Sequence, residues 1–538
     1  MKLLITGALG HIGSYIIYDL VKLKKIKKIV LLDNASSSKF NVLFGLKNKT
    51  DFKYNSYSES LLLTAMENED SRTENNALTH STSDNHCLDL FFSLATYRTA
   101  EESTIKSAFY RAYNENPLIA LRIMFWVRDI RGGSGERRIF RILLKEIANT
   151  NPLVFSMNPH LVHLIPTYGR WDDLFSFFDT SLENTALSFI KTTLLSETNE
   201  AALCAKWMPR EKSSHKKIAF KIRSYLKLTP KAYRKLLSKL SSNIVEAKMC
   251  EDRWSEINFS HVPSRAMLIY RNAFNKHQPS RFANFLEAVK SKETTIKAGA
   301  LYPYDILRTM FKGGPRIATT CSSTEIASLD AQWQALPNYM ENCTERILPL
   351  IDTSGSMYTH DSPNPLQVAV SLGMYIAERN EGLFKNFFMT FSEKPEIVKV
   401  LGDNIYNKLV SIAQSNWGYN TNLEIVFTKI LDAAVANNMP QDQMPTMILI
   451  LSDMHFDQAC SGSIRSGFAH SRYENKPDIT LFNKIRETYS AAGYVMPSII
   501  FWNLAARGKN VPVKAHDTGT ALISGFSPSI LKQLLNNS

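Results

Sequence analysis

The hydrophobic period of this 538-residue chain changes at about residue 342, and this change limits what the C-terminal part can fold into. Beyond that point, short apolar runs alternate with amphipathic helical stretches. The runs are RILPLIDTS, FKNFFMTFS, PEIVKV, TMILILSDM and MPSIIFWNLA, and the helical stretches are 366–379, 423–436, 480–492 and 528–535. Strands alternating with helices of this length predict a mainly parallel sheet covered on both faces, and so an α/β domain over residues 342–538.

Polar residues follow these predicted strands at the points where the strands end. They are Asp352, Ser354 and Ser356 in IDTSGSM, Thr421 in GYNTN just before a helix, and Asp453 in LSDM. Ligands of open α/β sheets bind beyond the carboxyl ends of the strands. Two carboxylates and three hydroxyls therefore predict a site for Mg²⁺ or another divalent cation. The alternative is that these oxygens bond only to one another and to the amides of the turn.

This Asp-x-Ser-x-Ser pattern with a later Thr and a later Asp resembles the metal-ion-dependent adhesion site of von Willebrand factor type A domains, which have a Rossmann-like fold. The order of strands and helices over 342–538 is similar to that fold throughout. GYNTN departs from the pattern, since relatives often carry a second Gly and an Asp beside the Thr. The resemblance implies a coordination position left for an acidic group of a partner. No nearby residue is an obvious nucleophile, so an enzyme is not expected.

Residues 80–341 have the period of helices, as in ESTIKSAFYRAYNENPLIALRIMFWVRDIRGG and KAYRKLLSKLSSNIVEAKM. Short breaks at Pro, Gly or Asn separate the helical stretches, and this predicts an all-α domain of stacked helical hairpins, similar to HEAT repeats. No clean repeat period is visible.

The net charge of +13 is distributed unevenly along the chain. Between Lys206 and Lys239, twelve Lys or Arg residues stand against one acid, Glu211, with aromatic residues interleaved. Such density predicts a nucleic-acid surface, although a solvated helix face would have the same composition. The candidate phosphate-binding residues are Lys206, Arg210, Lys212, Lys216, Lys217, Lys221 and Arg223.

A glycine-rich loop, RDIRGGSGERR, adds Arg131, Arg137 and Arg138 to these candidates. Backbone amides at a helix start, surrounded by guanidinium groups, can hold phosphate. The loop lacks the Lys-Ser/Thr ending of a nucleoside triphosphate loop, and a simple turn between helices would explain it equally well.

The N-terminal segment MKLLITGALGHIG carries Gly7, Gly10 and Gly13 after an apolar run, and Asp33 ends the next one. This spacing resembles the extended short-chain dehydrogenase and nucleotide-sugar epimerase family, in which these positions bind NAD. The rest of that fold does not follow. Residues 1–34 are therefore predicted to be a truncated βαβ fragment, residues 35–79 a linker, and NAD is not an expected cofactor.

The six cysteines are dispersed, without a Cys-x-x-Cys pair, and are expected to be reduced thiols of a cytoplasmic protein. No run of about 18 apolar residues is present to predict a membrane span. The N-terminal apolar stretch is interrupted by Gly10, His11 and Gly13 and lacks a small-residue cleavage site, so secretion is not expected.

The phrases RDIRGGSGERR, AKWMPRE, VPSRAM and FWNL resemble an uncharacterised family whose layout is that of the TROVE-module proteins, the Ro autoantigen group. The resemblance covers about residues 76–538. It implies a ring of helices closed by the type A domain that binds small structured or misfolded RNA. The first hypothesis is thus a non-enzymatic RNA-binding protein with a magnesium site. The alternatives are a metal-dependent protein-interaction scaffold and, from residues 1–34 alone, an NAD-dependent epimerase-like enzyme.

Overall fold

The computed structural model describes residues 2–6, 28–33, 51–56, 71–72, 78–196, 198–311, 321–358, 363–391, 395–413, 423–454, 481–505, 511–515 and 517–535. Over these ranges, a helical region is followed by a six-stranded sheet flanked by helices, as the sequence predicts at this level. None of the helices in these ranges has the length and apolar character needed to cross a membrane.

Three parallel strands stand near the N-terminus: β1 (Lys2–Thr6), β2 (Lys28–Asp33) and β3 (Asp51–Ser56), with β2 in the middle. The first two coincide with predicted strands. The third corrects the prediction of a linker over 35–79, because DFKYNS alternates polar and aromatic residues with the period of a strand. A short antiparallel pair follows, β4 (Ser71–Arg72) and β5 (Leu78–Thr79).

Fifteen helices are described between residues 86 and 334. They are α1 (His86–Phe92), α2 (Glu102–Glu115), α3 (Pro117–Arg128), α4 (Arg137–Thr150), α5 (Leu153–Ser156), α6 (His160–Tyr168), α7 (Glu183–Leu194), α8 (Asn199–Trp207), α9 (Lys216–Tyr225), α10 (Pro230–Leu240), α11 (Val245–Cys250), α12 (Ser264–His277), α13 (Pro279–Lys290), α14 (Pro303–Leu307) and α15 (Ser323–Gln334). One apolar core is formed by residues between 87 and 240, and a second by residues between 254 and 296. The HEAT-like character of the stacking stays a prediction.

The C-terminal sheet consists of β6 (Ile347–Asp352), β7 (Phe387–Phe391), β8 (Ile397–Lys399), β9 (Met447–Ser452), β10 (Ser498–Asn503) and β11 (Thr520–Ser524). Their order is β11-β10-β9-β6-β7-β8, and all neighbours are parallel except β7 and β8. The associated helices are α16 (Pro365–Arg379), α17 (Ile405–Ala413), α18 (Leu423–Ala436), α19 (Leu481–Ala491) and α20 (Ile530–Leu535). Every residue of β6 and β9 is buried, because helices cover both faces of the sheet.

The apolar core on one face of the sheet includes residues from the preceding helical region. Tyr304, Leu307 and Met310, at α14, and Trp333 of α15 pack with β6 and α16. The predicted border at 341/342 thus marks a change of hydrophobic period in the sequence, whereas the apolar core contains residues from both sides of it.

The beginning of the helical region also docks on the sheet, at the carboxyl ends of β10 and β11. The Asn503 side chain donates a hydrogen bond to the Phe92 carbonyl at 2.8 Å, and the Ala95 amide donates to Ser524 Oγ at 3.1 Å. Nearby, the Arg98 guanidinium lies 4.2 Å from the centre of the Phe526 ring. Segments far apart in sequence therefore form one junction.

The glycine-rich loop between α3 and α4 is packed tightly at this junction. The amide of Ser134 donates to the Trp126 carbonyl at 3.1 Å, and the amide of Glu136 donates to the Val127 carbonyl at 2.7 Å. A Cβ built on Gly133 would stand 1.9 Å from the Trp126 carbonyl oxygen. Gly135 has a φ of +70°, and a Cβ there would stand 2.2 Å from the Tyr302 hydroxyl.

We expect Gly133→Ala to destabilise the protein by about 3 kcal/mol, because the new methyl group has to displace backbone. Gly299→Ala is the matched control, since a Cβ at Gly299 meets nothing within 4 Å. Thermal or urea unfolding of the two variants measures the difference. Equal stability of both would contradict the packing described for the loop.

Candidate metal centre and basic surface

The predicted metal ligands Asp352, Ser354 and Ser356 lie together where β6 ends. Asp352 is the last residue of the strand, and its buried carboxylate accepts hydrogen bonds from the Ser354 amide at 2.9 Å and from the Ser452 hydroxyl. A 3₁₀ turn over Gly355–Met357 then brings Ser356 Oγ to 3.0 Å from Ser354 Oγ. One carboxylate and two hydroxyls are thus gathered by a single strand-to-turn transition.

Asp453 supplies the second carboxylate from the neighbouring strand. It follows the last residue of β9, which pairs with β6, and it is as deeply buried as Asp352. Burial disfavours the charged carboxylate, and the charge of Asp453 adds repulsion, so the pKa of Asp352 rises to about 7. The two buried acids on adjacent strands therefore repel each other when both are ionised.

Oxygen atoms of this kind fit a hard divalent cation, which would offset the repulsion between the two carboxylates. Asp352, Ser354, Ser356 and Asp453 would hold it, whereas Thr421 lies outside the described residues. No group of three or more His, Cys, Asp or Glu side chains suited to a metal occurs in the described ranges. The candidate centre therefore depends on serine hydroxyls as well as on carboxylates.

Three polar residues that the sequence analysis does not single out extend this site across the sheet. Ser452 bonds to Asp352, and Asn503 pairs with Ser452 in the register of β9 and β10. Ser524, opposite Asn503 in β11, accepts the bond from Ala95. All three are buried strand-end residues. The sequence signal that could have found them is their position, because each is the last residue of an apolar run.

Three of the predicted phosphate-binding residues are engaged within the protein. Lys206 pairs with Glu246 at 2.8 Å, Arg223 with Glu211 at 2.7 Å, and Lys221 with both Asp179 and Glu183 at 2.6 and 2.7 Å. Hydrogen bonds from Lys221 to these two acids raise the pKa of its ammonium group. The acids that neutralise Lys206 and Lys221 come from outside the basic stretch, so the charge count along the sequence could not include them.

Other cations of this stretch lie on the surface without an ion pair to any described residue. The exposed ones are Lys212, Lys216, Lys217, Lys227, Lys231, Arg234, Lys235 and Lys239. We call these eight residues the basic surface. Arg210 is half-buried and has no ion pair in the described residues, and burial lowers the pKa of its guanidinium.

The arginines of the glycine-rich loop have separate positions. Arg131 donates to the Thr167 carbonyl at 3.0 Å, and Arg138 donates to the carbonyls of Tyr97 and Arg98. Exposed Arg137 is close enough to Arg170 to lower the pKa of that guanidinium, after the larger effect of burial. Since the amides of Ser134, Gly135 and Glu136 donate to carbonyls of residues 126–129, they do not form the predicted phosphate grip.

Arg170 connects this loop to the basic stretch. Its guanidinium lies 4.0 Å from the centre of the Trp207 ring, and Lys206 Nζ lies 5.7 Å from the same ring. Arg170, which follows the loop in the sequence, and Lys206 of the basic stretch thus lie beside one ring.

The predicted NAD-binding glycines Gly7, Gly10 and Gly13 lie outside the described residues, and Asp33 is the last residue of β2. All five described cysteines are free thiols.

We expect the candidate metal centre to make stability depend on pH in the presence of a chelator. Asp352 keeps its proton in the folded state up to about pH 7, whereas the unfolded chain releases it near the ordinary pKa of 3.8. Folding stability is therefore lost as the pH rises through this window. Asp352→Asn removes this loss, so its melting temperature relative to the wild type should increase from pH 5 to pH 8.

At pH 8, Mg²⁺ should raise the melting temperature of the wild-type protein by on the order of 5 °C and that of Asp352→Asn by none. Asp442→Asn, at an exposed carboxylate of the same region, serves as control and should respond as the wild type does. An equal response of Asp352→Asn to Mg²⁺ would show that Asp352 is not a ligand.

Known proteins match most of the chain. The Domain of unknown function (DUF7788) matches residues 347–538. "Uncharacterized protein L728" of Acanthamoeba polyphaga mimivirus is 28% identical over 517 residues, which cover 86% of this chain and 84% of that protein. This agrees with the predicted relationship to an uncharacterised family.

Two solved structures are also similar to the chain. The Deinococcus radiodurans RO (RSR) protein has a TM-score of 0.38 and 14% identity, covering 78% of this chain and 91% of that one. The proximal thread matrix protein 1 of the mussel byssus has a TM-score of 0.22 and 12% identity, covering 36% and 47%. The Domain of unknown function (DUF2828) matches residues 73–188 and 186–345, about half of the chain, and the protein belongs to this family.

Proposed function

We propose that the protein is a cytoplasmic, non-enzymatic RNA-binding protein whose basic surface contacts RNA phosphates. The observation that carries the proposal is the set of eight exposed cations on and around α9 and α10 that have no ion pair in the described residues. Their mutual repulsion is relieved when phosphates bind and condensed counterions are released from the nucleic acid.

The order of charges along the helices supports the same conclusion. The first turns of α9 and α10 contain lysines and no acids, although acids are favoured at that end of a helix. An anion from outside would be favoured at this end. That the nucleic acid is RNA rests on the resemblance of the domain order to TROVE-module proteins, and a small structured or single-stranded RNA is the proposed ligand.

We expect charge reversal of Lys216 and Lys217 to glutamate to weaken RNA binding about 10- to 100-fold at low salt. The slope of affinity against salt should fall by about one for each phosphate that the variant no longer neutralises. Fluorescence anisotropy with a short labelled RNA, repeated over a salt series, measures both. Lys221 is left unchanged because its reversal would place a glutamate against Asp179 and Glu183.

The matched control reverses Lys290 and Lys292, which are exposed at the end of α13 and also lack an ion pair in the described ranges. It changes the net charge by the same amount at another place. Equal loss of affinity in both variants would mean that total charge, and not the basic surface, governs binding. Unchanged affinity and salt slope in the Lys216 and Lys217 variant would refute the proposal.

A second function is favoured by the candidate metal centre. Asp352 and Asp453 are buried side by side near Ser354 and Ser356, and a bound divalent cation could accept an acidic side chain of a partner. In this case the protein is a metal-dependent scaffold. Proteins that co-purify with the wild type should dissociate on chelation and be missing from Asp352→Ala. Partners retained by Asp352→Ala would argue against this role, and RNA is not required for it.

A further inference from the structure

Phe220 is a large apolar side chain left in solvent in the middle of α9. It is 58% exposed, and no other aromatic residue in the described ranges is exposed to a similar extent. Ala219 and Ile222 on the same helix are buried in the core, so α9 packs normally on its other side. Full burial of a Phe side chain stabilises a protein by about 1.5–3 kcal/mol, and Phe220 forgoes most of this.

Cations lie on the same side of α9 as this ring. Lys216 and Lys217 precede Phe220 by four and three residues and Arg223 follows it by three, which are the spacings of neighbours on a helix surface. The Arg223 guanidinium carbon is 5.1 Å from the centre of the ring. The exposed ring is thus surrounded by positive charge.

These cations differ in whether they have partners within the described part of the protein. Arg223 is fixed next to the ring by Glu211 at 2.7 Å and by the Leu228 carbonyl at 3.0 Å. Lys216 and Lys217 are exposed and have no ion pair in the part of the chain that the structure describes. The Phe220 ring thus lies beside a fixed guanidinium group, and the ammonium groups of Lys216 and Lys217 are available one helical turn away.

The charges around Phe220 decide which occupant is suited to it. An apolar surface of a protein would have to bury Lys216 and Lys217 without compensating their charges, which costs free energy. A nucleobase brings a flat apolar face together with the phosphates on either side of it. Aromatic side chains in positively charged grooves are the usual platforms for bases of single-stranded nucleic acids.

We infer that Phe220 stacks on an unpaired base of the bound RNA while Lys216 and Lys217 contact the adjacent phosphates. This inference rests on the proposed RNA-binding function and specifies its ligand as a segment with unpaired bases. In a duplex the base faces are covered by neighbouring bases, so a duplex can use the lysines but not the ring.

The test compares a labelled single-stranded RNA with an RNA duplex that has the same number of phosphates. Phe220→Ala should weaken binding of the single strand about 5- to 100-fold, leave duplex binding within about twofold, and leave the salt slope unchanged. Phe220→Tyr should keep the affinity of the wild type. The fluorescence of a 2-aminopurine base in the single strand should be quenched on binding to the wild type and quenched less on binding to Phe220→Ala.

Ile269→Ala is the matched control, because Ile269 is 59% exposed on α12 and lies outside the basic stretch. Melting temperatures of all variants establish that they are folded. Wild-type affinity of Phe220→Ala for the single strand, or equal losses for single strand and duplex, would overturn the inference. If the Lys216 and Lys217 variant still loses affinity in that case, the proposed function stands without it. A wild-type protein that binds neither RNA would remove both.

Discussion

The structure depends on the rule that a buried polar group needs a partner, and the rule applies most strongly at the carboxyl ends of the sheet. Asp352, Ser452, Asn503 and Ser524 form a buried row across four neighbouring strands. At one end of the row the carboxylate belongs to the candidate metal centre, and at the other end the partners are the backbone groups of Phe92 and Ala95. The hydrogen bonds that anchor the helical region are thus part of the same row as the candidate metal ligands.

Two charged sites of opposite sign would each be stabilised by a partner of the other sign. Buried Asp352 and Asp453 repel each other, and the ion that would relieve them is a cation. The basic surface is exposed and lacks ion pairs within the described residues, and what would relieve it is a polyanion. Because Asp352 and Asp453 are buried, they would bind a cation only in a particular geometry. Because the basic surface is exposed, its binding of a polyanion would depend on the salt concentration and tolerate different nucleotide sequences. The two binding properties are for this reason separable by experiment.

The local parts of this picture follow from the sequence, and the parts that depend on distant residues do not. Asp352 and Ser354 can be placed together because the turn after an apolar strand puts them there. The neutralisation of Lys221 by Asp179 and Glu183 does not follow from the chain, because those acids are 42 and 38 residues away. The glycine-rich loop has the composition of a phosphate-binding loop, but three of its backbone amides donate hydrogen bonds to carbonyls of residues 126–129. Similarly, helical period places Phe220 on α9 but does not tell whether another element covers it.

The junction between Phe92–Ala95 and strands β10 and β11 also has a consequence for how the chain is made. The hydrogen bonds there join residues 411 and 429 positions apart, and the Phe92 ring itself lies in the apolar core beneath the sheet. During synthesis α1 leaves the ribosome long before β10. Phe92 therefore lacks the strands that bury it while several hundred further residues are synthesised. A chain that stops short of β10 therefore presents an exposed phenylalanine near the start of its helices, where quality-control factors that bind exposed apolar segments would find it.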